Sequence, residues 1–222
     1  MSTAPLQTTL ATQPYTSFAA SDESDPPLGL EHAGILMTIE EFDAIEDYDE
    51  LYYYELIHGV LVVSPLAFVS ETGPNEDLGR MLLNYRDDHP NGKSLDATFP
   101  EQYVRTPVSR RRADRVIWAG LGRPPKLKVD VASIAVEFVS RARRDRHRDY
   151  VEKREEYIAA GVIEYWIIDR FRRNMTVFKN TPTGIQETVI QATETYRTPL
   201  LPGFELVLAK VLAAADLAKQ SE

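Results

Sequence analysis

The sequence predicts an α/β (α+β) fold in which a mixed central β-sheet is flanked by helices. Its 222 residues are 43% apolar, which is enough for one domain with its own core. Two short apolar runs on either side of His58-Gly59 indicate an antiparallel hairpin. Residues 129–170 have the pattern of strand, basic turn, helix and strand. Hairpin strands followed by a strand–helix–strand unit favour a sheet with both antiparallel and parallel neighbours.

The first half of the chain contains two predicted helices and two pairs of strands. Thr38-Ile-Glu-Glu41 is a capping box, which predicts the start of a short helix. Apolar residues at helical spacing predict a second helix over 74–88. Strands are predicted at 53–57, 60–63, 101–106 and 115–119. A cluster of arginines lies around the turn between the last two strands, and Asp114 lies at the mouth of the second.

The second half is organised around an apolar strand over 134–139 and the helix that follows it. Gly161 is the expected C-terminal stop of this helix. A buried strand over 164–169 comes next. Later strands are expected at the sheet edges over 175–178, 185–190 and 204–208, with a terminal helix over 209–218.

One domain accounts for these elements. Residues 1–34 are rich in Ser, Thr, Ala, Pro, Asp and Glu and have no periodicity, so they predict a flexible tail. The domain itself is expected over 35–210, and residues 211–222 are expected to form a C-terminal helix and tail.

The composition excludes several classes of protein. There is no cysteine, so disulfides and thiolate metal sites are excluded and a reducing cytoplasm is the expected location. No apolar run approaches the roughly 18 residues of a membrane helix, and no secretory signal is expected at the N-terminus. The four histidines have no zinc-type spacing.

The net charge of −9 conceals an uneven distribution of charge. Residues 1–79 contain no Lys or Arg but include 15 of the 34 acidic residues. Residues 80–222 therefore contain 25 basic and 19 acidic residues. Because nucleic-acid binding depends on a local basic patch, the acidic total does not exclude it.

Two carboxylates in successive predicted strands are candidates for a metal site. Glu137 lies within an apolar strand, where an unpaired carboxylate is costly, and Asp114 begins the strand before it. Mg²⁺ keeps several waters and takes one or two protein carboxylates. Asp149, Lys153 and Tyr157 share one face of the helix that follows Glu137, and a lysine there is placed to stabilise an anionic transition state.

Each of these residues also has a purely structural interpretation. Glu137 and Lys153 alone indicate a buried ion pair, and Asp114 alone indicates a partner for an arginine. Glu55, in the middle of the first strand, is either a site residue or the partner of a nearby cation.

Six segments of the chain resemble the Uma-type restriction endonuclease family of the PD-(D/E)XK nuclease superfamily. They occur in the order typical of that family, whose members are found in many copies in some bacterial genomes. The segments are MTIEEFDAI at 37–45, YELIHGVLVVSP at 54–65, RRADRVIW at 111–118, IAVEFVS at 134–140, DYVEKREEYIAAGVIEYWIID at 149–169 and LLPGFEL at 200–206.

The resemblance implies a restriction-endonuclease-like fold and a metal-dependent endonuclease. It assigns catalytic roles to Glu55, Asp114, Glu137 and Lys153, and a supporting role to Asp149 and Tyr157. It implies that Mg²⁺ (or Mn²⁺) is bound by Asp114, Glu137 and the carbonyl of Phe138. Lys153 on the helix takes the place of the strand lysine of the superfamily, because Val139 occupies that position.

Three positions depart from the family pattern. Ala113 replaces the usual proline, Ser140-Arg141-Ala142 replaces the usual Ser-Pro-Ser, and the stretch 70–77 contains no histidine. The last two departures motivate an alternative function, a nuclease-fold protein that acts only as a nucleic-acid-binding or assembly module. A small-molecule hydrolase ranks last, because no Ser or Cys nucleophile pattern is present.

The expected partners are nucleic acid, chiefly DNA, and a second copy of the chain in a homodimer. The sequence does not choose between DNA, RNA and a branched substrate. The residues expected to contact phosphates are basic and lie beside the carboxylates in the sequence. They are Arg111, Arg112, Arg141, Arg143 and Arg144.

Overall fold

The computed structural model describes residues 27–66, 69–140 and 147–218 and contains one large mixed sheet. Its eight strands are β1 (Tyr52–Ile57), β2 (Val60–Pro65), β3 (Leu95–Arg105), β4 (Ser109–Ala119), β5 (Ile134–Phe138), β6 (Glu164–Asp169), β7 (Asn174–Thr181) and β8 (Gly184–Gln191). They are ordered β2-β1-β4-β5-β6-β7-β8, with β3 paired to β4. β5 and β6 run parallel, whereas the other neighbouring pairs of this sheet are antiparallel. The predicted mixed α/β class is therefore confirmed.

Four α-helices accompany the sheet in the described part of the chain. They are α1 (Ile39–Asp43), α2 (Val69–Asp88), α3 (Arg154–Ala159) and α4 (Leu208–Ala218). A π-helical turn, Arg148–Lys153, leads directly into α3. The predicted capping box starts α1, because the Thr38 hydroxyl accepts from the amide of Glu41 and the Glu41 carboxylate accepts from the amide of Thr38.

The sheet is covered on both faces by apolar side chains. On one face Leu78 and Leu82 of α2 and Leu212 of α4 pack against strand residues such as Trp166. On the other face Tyr157 of α3 packs against strand side chains, namely Val116, Ala135, Tyr165 and Ile167. Burial on both faces explains why β5 and β6 read as continuous apolar runs in the sequence.

No helix in the described ranges is both long and apolar enough to cross a membrane.

Several predicted boundaries are corrected by the structure. β3 and β4 are each 11 residues long, so Arg110, Arg111 and Arg112 lie within β4 rather than in a turn, and Asp114 lies near its middle. The helix predicted from Pro74 begins at Val69. β7 is an interior strand between β6 and β8. The strand expected over 204–208 is a short strand, β10 (Leu206–Val207), which pairs with β9 (Thr195–Tyr196) in a separate sheet.

Apolar residues on both sides of the expected range 35–210 also pack on the fold. Leu28 is buried in an apolar cluster with Phe42 and Tyr54, and it forms a β-bridge with Tyr48. The part of the predicted tail that is described, residues 27–34, thus packs on the fold, while residues 1–26 lie outside the described part. At the other end Val211 and Ala215 of α4 are buried against the sheet and α2, so this helix belongs to the core.

A hydrogen-bonded arginine joins α2 to β4 beside Asp114. The guanidinium of Arg115 donates from Nε to Asn75 Oδ1 at 2.6 Å, from Nη2 to the Asn75 carbonyl at 3.0 Å and from Nη1 to the Thr98 hydroxyl at 3.2 Å. Asn75 in turn donates from Nδ2 to the carbonyl of Asp114 at 2.6 Å. This network fixes the helix against the strand that carries the first candidate carboxylate.

Gly79 of α2 leaves the space that this guanidinium occupies. A Cβ atom at Gly79 would lie 2.6 Å from Nη2 of Arg115, which three hydrogen bonds hold in place. We therefore expect Gly79→Ala to lower the free energy of unfolding by about 1–3 kcal/mol, despite the better helix propensity of alanine. Urea unfolding measures the change. A Gly79→Ala protein that is more stable than wild type would contradict this packing.

Candidate active site

Two carboxylates come together where the paired segment of β4 and β5 ends. The two strands are paired from Arg115↔Val136 onward, so Asp114 and Glu137 lie just beyond the last pair. The backbone amide of Phe138 donates to Asp114 Oδ2 at 2.6 Å, which fixes this carboxylate beside Glu137. Glu137 is 2% exposed, whereas Asp114 is half-buried.

Lys153 reaches Glu137 from the π-helical turn before α3. Its Nζ donates to Glu137 Oε1 at 2.8 Å and to the carbonyl of Arg112 at 2.8 Å. Tyr157, one turn later, donates its hydroxyl to the same Oε1 at 3.1 Å. A π-helical turn holds one more residue than an α-helical turn and is frequent at functional sites. The structure thus places a helix lysine on the buried carboxylate.

Val139 explains why the lysine comes from a helix. Its side chain is 2% exposed and packs in the apolar cluster that also contains Tyr157 and Tyr165. A lysine at this position would bury a charge in that cluster at high cost. The short helix after β5 is the next element that can present an ammonium group to Glu137.

Glu55 contributes through the backbone of Arg112. Glu55 Oε1 accepts a hydrogen bond from the amide of Arg112 at 2.8 Å, while the carbonyl of Arg112 accepts from Lys153. The backbone amide and the carbonyl of Arg112 therefore both form hydrogen bonds with side chains of the site. Glu55 is 7% exposed and helps to hold the segment of β4 that precedes Asp114.

Asp149 lies on the same side of the sheet and adds negative charge. Its side chain is buried and accepts from Arg148 Nε at 3.3 Å, and its carbonyl accepts from the hydroxyl of Tyr165 at 3.0 Å. Repulsion from Asp149 contributes to the raised pKa of both Glu137 and Asp114.

The site carries more buried negative than positive charge. Burial raises the pKa of Asp114 from 3.8 to about 7, Lys153 opposes the shift, and Glu101 and Asp149 add to it. Burial also raises the pKa of Glu137 well above its ordinary value, although Lys153 lowers it. One ammonium group is therefore insufficient to compensate these carboxylates.

A divalent cation would compensate this excess negative charge, and the arrangement of the carboxylate oxygens of Asp114 and Glu137 also suits one. The described residues donate to only one oxygen of each carboxylate, Asp114 Oδ2 and Glu137 Oε1, and the other oxygen of each accepts from none of them. No group of three or more His, Asp and Glu side chains suited to a metal occurs among the described residues. Mg²⁺ needs only one or two carboxylates, since waters and substrate complete its shell.

The raised pKa of Asp114 predicts the pH dependence of stability without metal. Between about pH 4 and pH 7 the native protein holds a proton that the unfolded chain has lost, so the free energy of unfolding falls as pH rises. Asp114→Asn should reduce this fall, whereas the exposed control Asp88→Asn should not. Urea unfolding in chelator, at several pH values across this range, measures how the free energy of unfolding depends on pH. An unchanged pH dependence in Asp114→Asn would contradict the burial of this charge.

Residues 39–211 of the chain match the Uma2 family, which is described as "Putative restriction endonuclease". The chain belongs to this family. No curated protein matches the Uma2 chain.

A solved structure supports the fold of this Uma2 protein. The structure is described as a putative nuclease belonging to DUF820 from Anabaena variabilis, and the two chains superpose with a TM-score of 0.64 at 12% sequence identity. The superposition covers 81% of this chain and 99% of the other. The likeness shows that both chains share one fold, and the expected nuclease-like fold is thereby confirmed.

Two arginines of β4 in this Uma2 protein, Arg110 and Arg111, pair with its own carboxylates. Arg111 is 1% exposed and binds Glu156 at 2.6 Å and Glu152 at 3.2 Å. Its guanidinium is thus buried and paired rather than exposed for the predicted contact with phosphates. Arg110 pairs with Asp43 at 2.8 Å. The predicted phosphate-binding residues Arg141, Arg143 and Arg144 lie outside the described residues.

Arg112 is the one predicted phosphate-binding arginine that the structure describes at the site. Its side chain is partly exposed, binds Glu101 at 3.0 Å and lies over the ring of Tyr53 with 3.8 Å between the guanidinium carbon and the ring centroid.

Two further site residues did not emerge from the sequence. Glu101 lies on β3 between the pairs Pro100↔Arg115 and Gln102↔Ala113, which places it opposite Asp114. Its φ of 53° is in the left-handed region, an uncommon conformation for a residue with a side chain and one that is enriched at functional sites. Asn75 is the second, and it comes from the stretch that lacks the histidine of relatives.

Proposed function

We propose that this Uma2 protein is a metal-dependent endonuclease that hydrolyses phosphodiester bonds in DNA. One observation supports this most strongly. Lys153 Nζ lies 2.8 Å from Glu137 Oε1 at the end of the sheet where Asp114 is fixed by the amide of Phe138. Two carboxylates and one lysine from three different elements meet there, although they are separated in the sequence.

Asp114 and Glu137 would hold Mg²⁺ or Mn²⁺, with the carbonyl of Phe138 as a third protein ligand. Such an ion activates water and neutralises charge that develops on a phosphate. Each carboxylate would have its second oxygen for the ion, because the first is held by the amide of Phe138 in Asp114 and by Lys153 and Tyr157 in Glu137.

Lys153 would act as a cation rather than as a base. Burial alone would lower its pKa, but Glu137, with Glu55 and Asp149, raises the pKa above its ordinary value. The ammonium group therefore keeps its proton at neutral pH. It is placed to orient the attacking water and to stabilise the anionic transition state.

Glu55, Tyr157 and Asp149 would position the lysine and the carboxylates. Glu55 fixes the peptide of Arg112, whose carbonyl directs Lys153, and Tyr157 fixes the Glu137 carboxylate. We further propose a homodimer in which each subunit cuts one strand, by analogy with other nucleases of this fold. Light scattering of the purified protein measures the oligomeric state.

A cleavage assay tests the proposed function. Supercoiled DNA and an RNA of similar length are incubated with the full-length protein in Mg²⁺, in Mn²⁺ and in chelator. We expect nicked or linear DNA in either metal and none in chelator. DNA that stays intact in both metals, or that is cut equally well in chelator, would refute a metal-dependent DNA endonuclease.

Calorimetry separates the enzyme from a nuclease-fold protein that acts only as a binding or assembly module. We expect Mg²⁺ and Mn²⁺ to bind wild type, and the binding to be lost in Asp114→Asn. The exposed Asp88→Asn protein should bind as wild type does. If wild type binds neither ion, the result favours the non-catalytic function over the endonuclease.

A further inference from the structure

A cleft lined by aromatic rings adjoins the candidate active site. It has a volume of about 410 Å³ and lies between α1, β1 and β3. Its walls combine rings with polar and charged groups. They include Phe42, Tyr48, Tyr52, Tyr54, Tyr103, Glu101, Gln102, Arg112 and Lys128.

The cleft and the active site share a wall. Arg112 and Glu101 line the cleft, and their side chains pair at 3.0 Å. The carbonyl of the same Arg112 accepts the hydrogen bond from Lys153, and Glu101 lies opposite Asp114 on the neighbouring strand. A ligand in the cleft would therefore contact the same strand segments that hold Lys153 and Asp114.

Hydrogen bonds and a ring contact hold the residues at the floor of the cleft. The hydroxyl of Tyr54 donates to the carbonyls of Leu28 and Asp49 at 2.7 and 3.0 Å. The hydroxyl of Tyr103 donates to the carbonyl of Tyr54 at 2.8 Å, and the ring of Phe42 meets that of Tyr103 edge to face at 5.7 Å. Because the hydroxyls of Tyr54 and Tyr103 are satisfied, they present no unpaired phenol oxygen to a ligand in the cleft.

Its rim provides one free ring and one free cation. Tyr48 is 47% exposed and contacts Tyr54 edge to face, which leaves a face of its ring open. Lys128 is exposed and forms no ion pair with any residue in the described ranges. Arg112 is partly exposed on the opposite side, toward the active site. Aromatic rings between cations suit a base that stacks and a backbone phosphate beside it.

We propose that this cleft binds an unpaired nucleobase of the DNA strand whose phosphodiester bond lies at Asp114 and Glu137. The inference rests on the proposed nuclease function and adds a preference for unpaired nucleotides near the cut. A volume of about 410 Å³ lies within the range of pockets that hold one small-molecule ligand, so it suits a single nucleotide. Tyr48 stacks on the base, and Lys128 and Arg112 neutralise the flanking phosphates.

Fluorescence anisotropy with a short labelled single-stranded DNA tests the cleft directly. The full-length protein is used in chelator, so the readout does not need cleavage. We expect Tyr48→Ala to weaken binding by roughly five- to a hundredfold, the range for loss of one stacked base. Tyr48→Phe keeps the ring and should bind as wild type does.

Lys128 provides a second variant with a matched control in the same loop. Lys128→Ala should weaken binding of the single strand and reduce its salt dependence. Lys126→Ala removes the same charge from an exposed residue that does not line the cleft, and should have a smaller effect. If Tyr48→Ala and Lys128→Ala both bind the single strand as wild type does, or if wild type does not bind it, the proposal is overturned.

Failure of this inference and failure of the proposed function give different results. A duplex with one mismatched base is the substrate for this comparison. If its cleavage depends on Glu137 but is unaffected by Tyr48→Ala, only the proposed binding of a base in the cleft is refuted. Binding of single strands that depends on Tyr48 and Lys128, without cleavage in any metal, would support the cleft and refute the endonuclease. If both are correct, the mismatched duplex is cut faster than the paired one, and Tyr48→Ala removes the difference.

Discussion

Replacing Glu137 with Gln is expected to reduce Mg²⁺-dependent DNA cleavage by roughly a thousandfold or more. The amide keeps the size and shape of the carboxylate but removes its charge. The proposed metal ion loses one of two anionic ligands, and Lys153 loses the partner that lies 2.8 Å from its Nζ. The decrease should appear in kcat/KM, measured with supercoiled DNA as the substrate.

Glu187→Gln on β8 is the matched control for this experiment. It makes the same chemical change at an exposed position on the edge strand of the sheet. Its activity should equal that of wild type. Circular dichroism and urea unfolding show whether Glu137→Gln is folded. A folded Glu137→Gln protein that cuts DNA as fast as wild type would remove Glu137 from the site.

Replacing Lys153 with Met is expected to abolish cleavage and to destabilise the protein by about 3–5 kcal/mol, the usual cost of removing one partner from a buried ion pair. Both side chains of this pair are 3% exposed, so neither charge is solvated when the other is removed. Glu137 would then be a buried carboxylate held only by Tyr157 among the described residues. Urea unfolding of wild type and of Lys153→Met in chelator measures the difference in the free energy of unfolding.

The double variant Lys153→Met with Glu137→Gln separates the ion pair from general packing. Because it removes both charges of the pair, it should recover most of the stability that Lys153→Met loses. It should remain inactive. Lys210→Met, an exposed change on α4, should be neutral. A double variant that is as unstable as Lys153→Met would show that the charge of Glu137 is not the cause.

Local patterns in the sequence predicted much of the fold. The capping box at Thr38, the hairpin at His58-Gly59 and the strand Glu164–Asp169 depend on neighbouring residues, and the structure contains all three. The resemblance to the family placed Lys153 near Glu137, and the structure has them in contact. None of these features depends on the order of the strands in the sheet. The contact between Lys153 and Glu137 depends only on the helix that follows β5 packing against that strand.

Distant partners explain the errors. The arginines of β4 resemble a solvated turn when their acidic partners are unknown, since Glu156 lies 45 residues from Arg111 and Asp43 lies 67 residues from Arg110. Glu101 was missed for a related reason. Its role depends on a left-handed conformation within a long strand and on its position opposite Asp114, and neither leaves a pattern in the sequence.

A crystal structure of the protein soaked in Mn²⁺ tests the central claim most directly. The account predicts an anomalous difference peak between the carboxylates of Asp114 and Glu137, with Lys153 still bonded to Glu137 on its other oxygen. The peak should be absent from crystals of Asp114→Asn soaked in the same solution. If Mn²⁺ in wild-type crystals binds fully at another position and gives no peak between Asp114 and Glu137, a metal-dependent nuclease site at these carboxylates is contradicted.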